Sequence, residues 1–301
     1  MTDRLTQLPP LPPRPLDAHK GTFGTVVVFG GSATMIGAPA LCATAALRGG
    51  AGLVRIAAPS NILQSCLTIQ PSATGISLPT NYNLNEVADQ WGPLNESISA
   101  QSVLAIGPGM GCGPGQQRLV QMMLRQHRRV VLDADGLNNL AMLGDGRRAV
   151  RCPLVMTPHP GEYTRLAQQA GVRTEPTSSE TRVAAAEQLA QAYGAVVVLK
   201  GAHTVVADGK QHYINDTGNP ALATAGTGDV LTGLIAALLA QGMAMFDAAV
   251  LGVHLHGLAA DLWAKRHSPA GMLAMDAAHW IPHAIAQLAP PLPTGEGRGE
   301  G

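Results

Sequence analysis

The segment Gly226-Thr227-Gly228-Asp229 contains residue types that could bind and transfer a phosphate. The apolar run 230–240 predicts a helix, and the glycines would open it. Free N–H groups and the positive end of a helix dipole favour an anion, and the Thr227 hydroxyl could add a donor. Asp229 would repel a phosphate, so we interpret it as a base for a hydroxyl that attacks phosphorus. For this segment alone, an ordinary glycine turn with a first-turn carboxylate remains the simpler interpretation.

Polar and glycine-rich segments also follow other apolar runs that predict strands. These segments are GPGMG at 107–111, DADG at 133–136, TPHPGE at 157–162 and KGAHT at 200–204. Open α/β sheets bind ligands beyond the carboxyl ends of their strands. We therefore expect these segments to converge on one edge of a sheet and to line a ligand site.

Lys200 and His159 each have a functional and a structural interpretation. Lys200 stands at a predicted strand end beside Gly201, which favours ligand binding over an exposed turn lysine. His159 lies between Pro158 and Pro160, and the two prolines hold it in an extended turn. Considered alone, His159 is therefore interpreted as a surface loop residue.

Four other residues that could do chemistry are better interpreted as structural. We expect Asp133 and Asp135 to cap and brace the turn after their strand. His254 and His256 are two residues apart, so they cannot share one helix face as the ligands of a helical zinc site do. We expect both histidines to be packing residues.

The elements that must position these residues alternate between strand and helix. The run TVVVF at 25–29, the turn at Gly30 and Gly31 and the Ala-rich segment 38–48 predict the start of a parallel βαβ unit. Residues 60–100 have weak periodicity, and we make no detailed prediction for them. The remaining predictions are strands at 53–57, 102–106, 130–132, 154–156 and 195–199, a hairpin of 204–207 with 211–214, and helices at 230–240, 246–265 and 276–288.

Composition suggests one large α/β domain. The chain has 301 residues, of which 46% are hydrophobic, so it can bury a large core. Charged residues make up 13%, as expected when strands are covered on both faces. We predict an extended N-terminal arm at 1–20, a single catalytic domain at 21–289 and a disordered tail at 290–301.

Charge and cysteine content narrow the classes of partner. Twenty basic and twenty acidic side chains cancel, which argues against a broad nucleic-acid or anionic-membrane surface. The N-terminus lacks a signal-peptide pattern, and the run 230–240 is too short to span a bilayer. The four cysteines form no CxxC pair, so we expect reduced thiols rather than a zinc or redox site. The expected location is the cytoplasm.

The ordered set of motifs resembles a known family, the ADP-dependent NAD(P)H-hydrate dehydratases of the ribokinase-like superfamily. The resemblance covers roughly residues 20–265 and is more specific than any single motif. It implies a ribokinase-like α/β fold with a central, mostly parallel sheet and helices on both faces. The motifs are FGG at 29–31, the helix from Ala38, GPGMG at 107–111, DADGLN at 133–138, TPHPGE at 157–162, LKGAHT at 199–204 and AGTGDVLTG at 225–233.

The resemblance implies a repair reaction. Hydrated NADH or NADPH is dehydrated while ADP, the co-substrate, is converted to AMP and phosphate, with Mg²⁺ as cofactor. It also implies a homotetramer. Larger relatives carry an epimerase domain in front of the dehydratase, and this sequence leaves no room for one. We therefore expect dehydratase activity alone, paired functionally with a separate epimerase.

The resemblance also assigns roles to individual residues. Asp229 is the catalytic base, and the N–H groups of Gly226, Thr227 and Gly228 stabilise the phosphoryl group in transfer. Sugar and vitamin kinases of the superfamily often have Asn-x-x-Glu, which helps to hold magnesium, where this chain has His159 to Glu162. Glu162 is thus a candidate for a water-mediated Mg²⁺ contact. The implied nucleotide contacts are Lys200, Gly201, Ala202, His203, Thr204 and Gly228, and the implied contacts to the hydrated dinucleotide are Ala38, Gly109, Gly111, His159 and Asp229.

Two other function classes remain open. One is a kinase for a small hydroxylated metabolite on the same fold, against which the TPHPGE segment counts. The other is a non-catalytic adenine-nucleotide sensor, against which Asp229 counts, because a sensor gains nothing from a base beside the phosphates. The sequence does not decide between ADP and ATP, or between the NADH and NADPH hydrates.

Overall fold

A ten-stranded sheet runs through the described part of this computed structural model, which comprises residues 2–144 and 146–289. The strands are β1 (Asp3–Arg4), β2 (Thr25–Phe29), β3 (Leu53–Pro59), β4 (Thr74–Leu78), β5 (Val103–Ile106), β6 (Val130–Leu132), β7 (Leu154–Met156), β8 (Val196–Leu199), β9 (Val205–Ala207) and β10 (Gln211–Ile214). Their order across the sheet is β1-β10-β9-β8-β7-β6-β5-β2-β3-β4.

The sheet is mostly parallel. Strands β2 to β8 pair with parallel neighbours, whereas β9 pairs antiparallel with both β8 and β10, and β1 adds in parallel to β10. The strand order reverses at β2, which lies between β3 and β5. A reversal of this kind opens a crevice at the carboxyl ends of the strands. The segments predicted to bind ligands leave the sheet at this edge.

Eleven α-helices accompany the sheet in the described residues. They are α1 (Gly37–Arg48), α2 (Ser60–Ile69), α3 (Leu84–Glu96), α4 (Pro114–Leu124), α5 (Ala134–Met142), α6 (Gly146–Ala149), α7 (Pro160–Ala170), α8 (Ser179–Tyr193), α9 (Thr227–Ala240), α10 (Met245–Ala264) and α11 (Ala274–Leu288). None of the described helices combines the length and apolar content needed to cross a membrane.

Alternate residues of the strands pack into two hydrophobic cores, one on each face of the sheet. In β2, Val26 and Val28 pack into a core with α1, α9, α10 and α11, whereas Val27 and Phe29 pack into a core with α4, α5, α7 and α8. Helices therefore cover both faces of the sheet, as predicted. Helices α1 and α9 approach closely at Gly233, where a Cβ atom would lie 2.0 Å from the Cys42 carbonyl oxygen.

The strongly periodic elements agree with the sequence predictions. The strands predicted at 25–29, 130–132 and 154–156 are confirmed with these bounds, and β9 and β10 form the predicted hairpin. The helix predicted at 230–240 begins three residues earlier, at Thr227. The region 60–100, for which no prediction was made, contains α2, β4 and α3.

The first residues of the chain dock onto the hairpin. Asp3 N–H donates to the Lys210 carbonyl, and Leu5 N–H donates to the His212 carbonyl. Asp3 and Arg4 thus form a short edge strand of the sheet. The division into an arm and one domain stays a prediction, and the predicted disordered tail lies outside the described residues.

Candidate functional site

Three distant segments meet through the side chain of Lys200. Its ammonium lies 2.8 Å from Asp133 Oδ1 and 3.8 Å from Glu162 Oε2. Asp133 Oδ2 accepts a 2.8 Å hydrogen bond from the buried Thr232 hydroxyl of α9. The predicted convergence of the segments after β6, β7 and β8 is therefore observed, and it occurs beside the start of α9.

The first turn of α9 presents backbone donors to this cluster. Gly226 is the N-cap residue in a left-handed conformation (φ 92°), which glycine adopts without strain. The first N–H groups of a helix have no intrahelical acceptor, so the turn at Gly228 offers donors for an anion. A Cβ atom on Gly228 would lie 3.4 Å from Lys200 Nζ. The ammonium and the helix start thus face the same small volume.

The Thr227 hydroxyl does not take the role predicted for it. Thr227 is buried, and its Oγ1 lies 2.9 Å from the carbonyl oxygens of both Leu222 and Thr224, to which it can donate. The hydroxyl therefore braces the loop that leads into α9. The Thr227 N–H also lies 3.4 Å from the Thr224 carbonyl oxygen, so an anion would have to compete with that carbonyl for this donor.

Asp229 lies in an unfavourable environment for a carboxylate. Burial, followed by the charge of Asp133, raises the pKa of Asp229 to about 8, although Lys200 opposes this shift. Desolvation and a neighbouring like charge both favour the protonated form. A carboxyl group that exchanges its proton near neutral pH is suited to general acid or base catalysis.

A cavity of about 520 Å³ opens beside the start of α9. Its lining includes all five residues of the predicted nucleotide segment, 200–204, together with Gly228. The volume falls within the usual range for small-molecule sites. The residues predicted to contact the dinucleotide, Ala38, Gly109, Gly111 and His159, are not part of this lining.

The cavity wall includes a segment that the sequence analysis did not assign to the site, residues 215–220. Asp261 of α10 fixes this segment, because its carboxylate accepts 2.8 Å hydrogen bonds from Gly218 N–H and from the Asn219 side-chain amide. The Thr217 hydroxyl donates to the His254 carbonyl. Gly218 and Asn219 are residue types that are common in turns, and no other feature of the sequence indicated that this segment would line the cavity.

His256 is buried, as predicted, and it also borders the cavity. Burial lowers the pKa of His256 to about 4, so the ring is neutral at physiological pH. Its Nε2 atom is buried without a hydrogen-bond partner in the described residues. The i, i+2 spacing with His254 gave no indication that His256 alone would lie at a cavity.

Three of the residues predicted to contact the dinucleotide, Ala38, Gly109 and Gly111, lie at or next to the glycine turns after β2 and β5. Gly109 has φ 62°, and a Cβ atom there would lie 2.9 Å from Ala38 Cβ. The two turns are joined by a 2.8 Å hydrogen bond from Gly31 N–H to the Pro108 carbonyl. Ala38 and Gly109 are therefore neighbours, as a shared ligand contact requires.

Tyr82 supports these turns and was missed by the sequence analysis. Its hydroxyl lies 3.0 Å from the carbonyl oxygens of both Gly30 and Gly31. Tyr82 is buried and has a positive φ of 52°, which is uncommon for a bulky residue. It follows β4, in the region whose periodicity was too weak to interpret.

The two aspartates after β6 behave differently from each other. Asp135 Oδ2 accepts a 2.9 Å hydrogen bond from Gly111 N–H, so its predicted bracing role is observed. Asp133 occupies the N-cap position of α5, but its side chain makes no capping hydrogen bond. The predicted capping role of Asp133 is wrong, because its carboxylate is used by Lys200 and Thr232 instead.

His159 and Glu162 form a capping box at the start of α7. His159 Nδ1 accepts from Gly161 N–H at 3.0 Å and from Glu162 N–H at 3.3 Å, and Glu162 Oε2 accepts from His159 N–H at 2.8 Å. Burial and the nearby Lys200 lower the pKa of His159, which keeps the ring neutral. The His159 side chain is 51% exposed, so part of its ring can still meet a ligand.

The carboxylate of Glu162 is the predicted contact for a metal. Burial raises the pKa of Glu162, and Lys200 opposes that shift. Among residues 2–144 and 146–289, no three His, Cys, Asp or Glu side chains are grouped as metal ligands. A water-mediated contact from Glu162 to Mg²⁺ therefore stays a prediction.

Comparison with known proteins extends over nearly the whole chain. Residues 26–283 match a family model described as NAD(P)H-hydrate dehydratase. A bifunctional NAD(P)H-hydrate repair enzyme from Moorella thermoacetica is 42% identical over 282 residues, which are 92% of this chain and 52% of that protein. The chain thus spans about half the length of the first curated relatives it matches. An ADP-dependent (S)-NAD(P)H-hydrate dehydratase from Neisseria meningitidis is 39% identical over 280 residues, covering 90% of this chain and 89% of the relative.

Solved structures show the same fold. The ADP/ATP-dependent NAD(P)H-hydrate dehydratase from Bacillus subtilis, co-crystallised with ATP and Mg²⁺, has a TM-score of 0.77 and 31% identity, covering 93% of this chain and 95% of the other. A ribokinase-like superfamily protein from Enterococcus faecalis has a TM-score of 0.77 and 26% identity over 93% of both chains. The predicted ribokinase-like fold and the predicted family are thereby confirmed. The chain belongs to the NAD(P)H-hydrate dehydratase family.

Proposed function

We propose that this protein dehydrates hydrated NADH and NADPH while converting ADP to AMP and phosphate. The observation that carries the proposal is the position of Asp229, a half-buried carboxyl group in the first turn of α9, beside the cavity lined by residues 200–204. The Neisseria meningitidis relative is named for this ADP-dependent activity. The reaction would repair damaged nicotinamide nucleotides.

The chemistry needs a kinase-like step followed by an elimination. The hydrate carries a hydroxyl on a ring carbon next to the ring nitrogen, and hydroxide leaves poorly at neutral pH. Transfer of the β-phosphoryl group of ADP to that hydroxyl gives AMP and a phosphate ester. The nitrogen lone pair then expels phosphate as the C–O bond breaks, and loss of a proton from the adjacent ring carbon restores the dihydropyridine.

Each part of the site supports one part of this reaction. Asp229 takes the proton of the hydroxyl as it attacks phosphorus. The N–H groups from Gly226 to Gly228, with the Lys200 ammonium beside them, stabilise charge on the phosphoryl group. The adenine nucleotide occupies the cavity at residues 200–204. The hydrated dinucleotide binds across the first turn of α9, against Ala38, Gly109, Gly111 and His159.

Magnesium fits this arrangement as an ion that enters with the nucleotide. The described carboxylates do not form a three-ligand metal group, and Asp133 is bound to Lys200 and Thr232. Glu162 remains the candidate for a water-mediated contact to Mg²⁺ on the phosphates. When bound, the ion would neutralise phosphate charge.

Three further expectations from the sequence remain proposals. We infer a homotetramer, functional pairing with an epimerase activity, and a cytoplasmic location. The free state of the four cysteines, all of which lie in the described residues, agrees with a reducing compartment. The relatives named bifunctional repair enzymes support a link to a second repair activity.

The test is recovery of dihydronicotinamide absorbance from hydrated NADH or NADPH with purified protein and Mg²⁺. Parallel reactions contain ADP, ATP or no nucleotide, and a product assay measures AMP and phosphate. We expect recovery with nucleotide and none without it. Phosphorylation of a sugar or vitamin alcohol, with no recovery from the hydrate, would instead identify a kinase. Nucleotide binding without turnover of either substrate would identify a sensor.

A further inference from the structure

The ammonium of Lys200 lies between two buried carboxylates. Asp133 Oδ1 is 2.8 Å from Lys200 Nζ, and Glu162 Oε2 is 3.8 Å from it. The Asp133 side chain is 1% exposed and the Glu162 side chain 5% exposed, whereas the Lys200 side chain is 20% exposed. The two acids therefore share one cation, which the chain itself supplies.

The other oxygen atoms of both carboxylates also face donors. Asp133 Oδ2 accepts from the Thr232 hydroxyl at 2.8 Å. Glu162 Oε2 accepts from His159 N–H, and Glu162 Oε1 lies 3.3 Å from His159 Nε2. Because His159 Nδ1 accepts two backbone N–H groups, the ring proton belongs on Nε2, the ring nitrogen that faces Oε1. No oxygen of the pair is left without a neighbouring donor.

A divalent ion would have to displace these donors. Direct coordination requires oxygen atoms that can turn towards the ion, and Mg²⁺ demands near-ideal octahedral geometry. If the Lys200 ammonium moved away from the two carboxylates to admit the metal, its positive charge would still lie close to the ion. Both acids therefore have neighbouring donors and a cation without a metal.

We propose that the Lys200 ammonium is the resident cation of the Asp133 and Glu162 carboxylates, and that a divalent ion enters this site only on the phosphates of the nucleotide. Lys200 then has two functions in one position. It neutralises the two acids at the base of the site, and it places a fixed positive charge beside Gly228, where the phosphoryl group is expected.

This inference rests on the proposed function only in taking the cavity at residues 200–204 as the nucleotide site. The two carboxylates, at 2.8 Å and 3.8 Å from Lys200 Nζ, favour the charged form of the ammonium.

Mn²⁺ binding, followed by electron paramagnetic resonance of the full-length protein without nucleotide, tests the proposal. The wild-type protein should leave Mn²⁺ free, because Lys200 already occupies the site. Lys200→Ala should bind Mn²⁺ at least about tenfold more tightly than the wild type, since two adjacent carboxylates lose their cation. Lys200→Ala combined with Glu162→Gln should lose that gain. Lys210→Ala, which removes an exposed lysine at the hairpin, is the control and should behave as wild type.

Two results would overturn the proposal. One is a Mn²⁺ ion bound by the nucleotide-free wild type and lost in Asp133→Asn. The other is a folded Lys200→Ala protein that gains no Mn²⁺ binding. If Lys200→Ala does not fold, the wild-type titration decides alone, because free Mn²⁺ supports the proposal and bound Mn²⁺ contradicts it.

A parallel titration with ADP separates this proposal from the proposed function. We expect Mn²⁺ to bind the wild type once ADP is present. Failure of ADP to bind would contradict the nucleotide assignment, and the result without nucleotide would still report on Lys200.

Discussion

Lys200 Nζ and Asp133 Oδ1 lie 2.8 Å apart although 67 residues separate them in the sequence. The contact joins the carboxyl ends of β6 and β8 and places an ammonium next to the first turn of α9. Because Asp133 is almost fully buried, its charge depends on Lys200 for compensation. The same pair therefore affects stability, the charge of the site and the proton affinity of Asp229.

Breaking this pair from one side should destabilise the fold more than removing both charges. Lys200→Ala leaves a buried, unpaired carboxylate and should lower the free energy of unfolding by about 3 kcal/mol, at the lower end for buried pairs because Lys200 is partly exposed. Adding Asp133→Asn removes the orphaned charge and should restore part of that loss. Urea denaturation of the two single variants and the double variant measures the coupling.

Additive effects of the two substitutions would contradict this prediction. Thr232→Val is a useful comparison, because it removes the hydroxyl donor to Asp133 Oδ2 and keeps the ion pair intact. Its cost should be closer to that of one hydrogen bond, roughly 1 kcal/mol.

A methyl group at Gly228 should harm function without harming the fold. The Cβ atom of Gly228→Ala would lie 3.4 Å from Lys200 Nζ and 3.7 Å from Asp133 Oδ2, distances of ordinary contact. Alanine is also the better helix former, so stability should stay constant or rise by up to about 1 kcal/mol. The methyl group would project into the expected phosphate position, and the KM for ADP should increase about tenfold or more.

Gly92→Ala is the matched control for this substitution. Gly92 is an exposed glycine within α3, and a Cβ atom there meets no atom within 4 Å apart from its chain neighbours. Because Pro93 follows it and disfavours a Cβ-bearing helical residue in front, no gain in stability is expected, and the kinetics should stay unchanged. If Gly228→Ala left the KM for ADP unchanged, the phosphates would not lie at this turn.

Strands and turns with a clear local pattern of residue types could be predicted from the sequence, because those residue types themselves favour the observed backbone conformation. The continuous apolar run of β2 and the Asp208-Gly209 turn between β9 and β10 are examples. Helix α3 is different, since Val87 is its only fully buried residue and Pro93 lies within it. With one buried residue and an internal proline, α3 contains no continuous apolar run of the kind that marked the predicted elements, so no prediction was made for it.

The parts of the candidate site that belong to one continuous motif could be predicted from the sequence, whereas contacts between distant segments could not. The family resemblance selected residues 200–204 and Gly228, and these residues line the cavity. The pairing of Asp133 with Lys200 depends on how β6, β8 and α9 pack, so a local capping rule gave the wrong role. Tyr82 acts through a positive φ and contacts with two distant glycines, for which no sequence pattern exists.

The pH dependence of kcat/KM should report the ionisation of Asp229. This ratio reflects groups of the free enzyme, in which burial and Asp133 raise the pKa of Asp229 to about 8. A base must be deprotonated to act, so kcat/KM should increase with pH and level off above about 8. Measurements from pH 6 to pH 9.5, with ADP and the hydrate both well below their KM values, would show this limb for the free enzyme. A flat profile over that interval would exclude Asp229 as a base with a raised pKa.

Asp229→Asn tests the mechanism directly. Asparagine keeps the shape of the side chain and removes the proton acceptor, so kcat should decrease by roughly 10²-fold or more. ADP binding should be retained or become tighter, because a carboxylate near the phosphates has been neutralised. Asp247→Asn, which changes the first-turn acidic residue of α10, is the matched control and should leave kcat unchanged.

The same substitution should change how stability depends on pH. The pKa of Asp229 is about 8 in the folded protein against 3.8 for an ordinary aspartate, so the folded state binds the extra proton between these values. Stability contributed by that proton is present at low pH and is lost as pH increases towards 8. Asp229→Asn avoids this loss, so its Tm should exceed the wild-type Tm by a margin that widens from pH 5 to pH 8.5. Turnover within a few-fold of wild type, together with a pH-independent Tm difference, would mean that Asp229 neither has a raised pKa nor acts as the base.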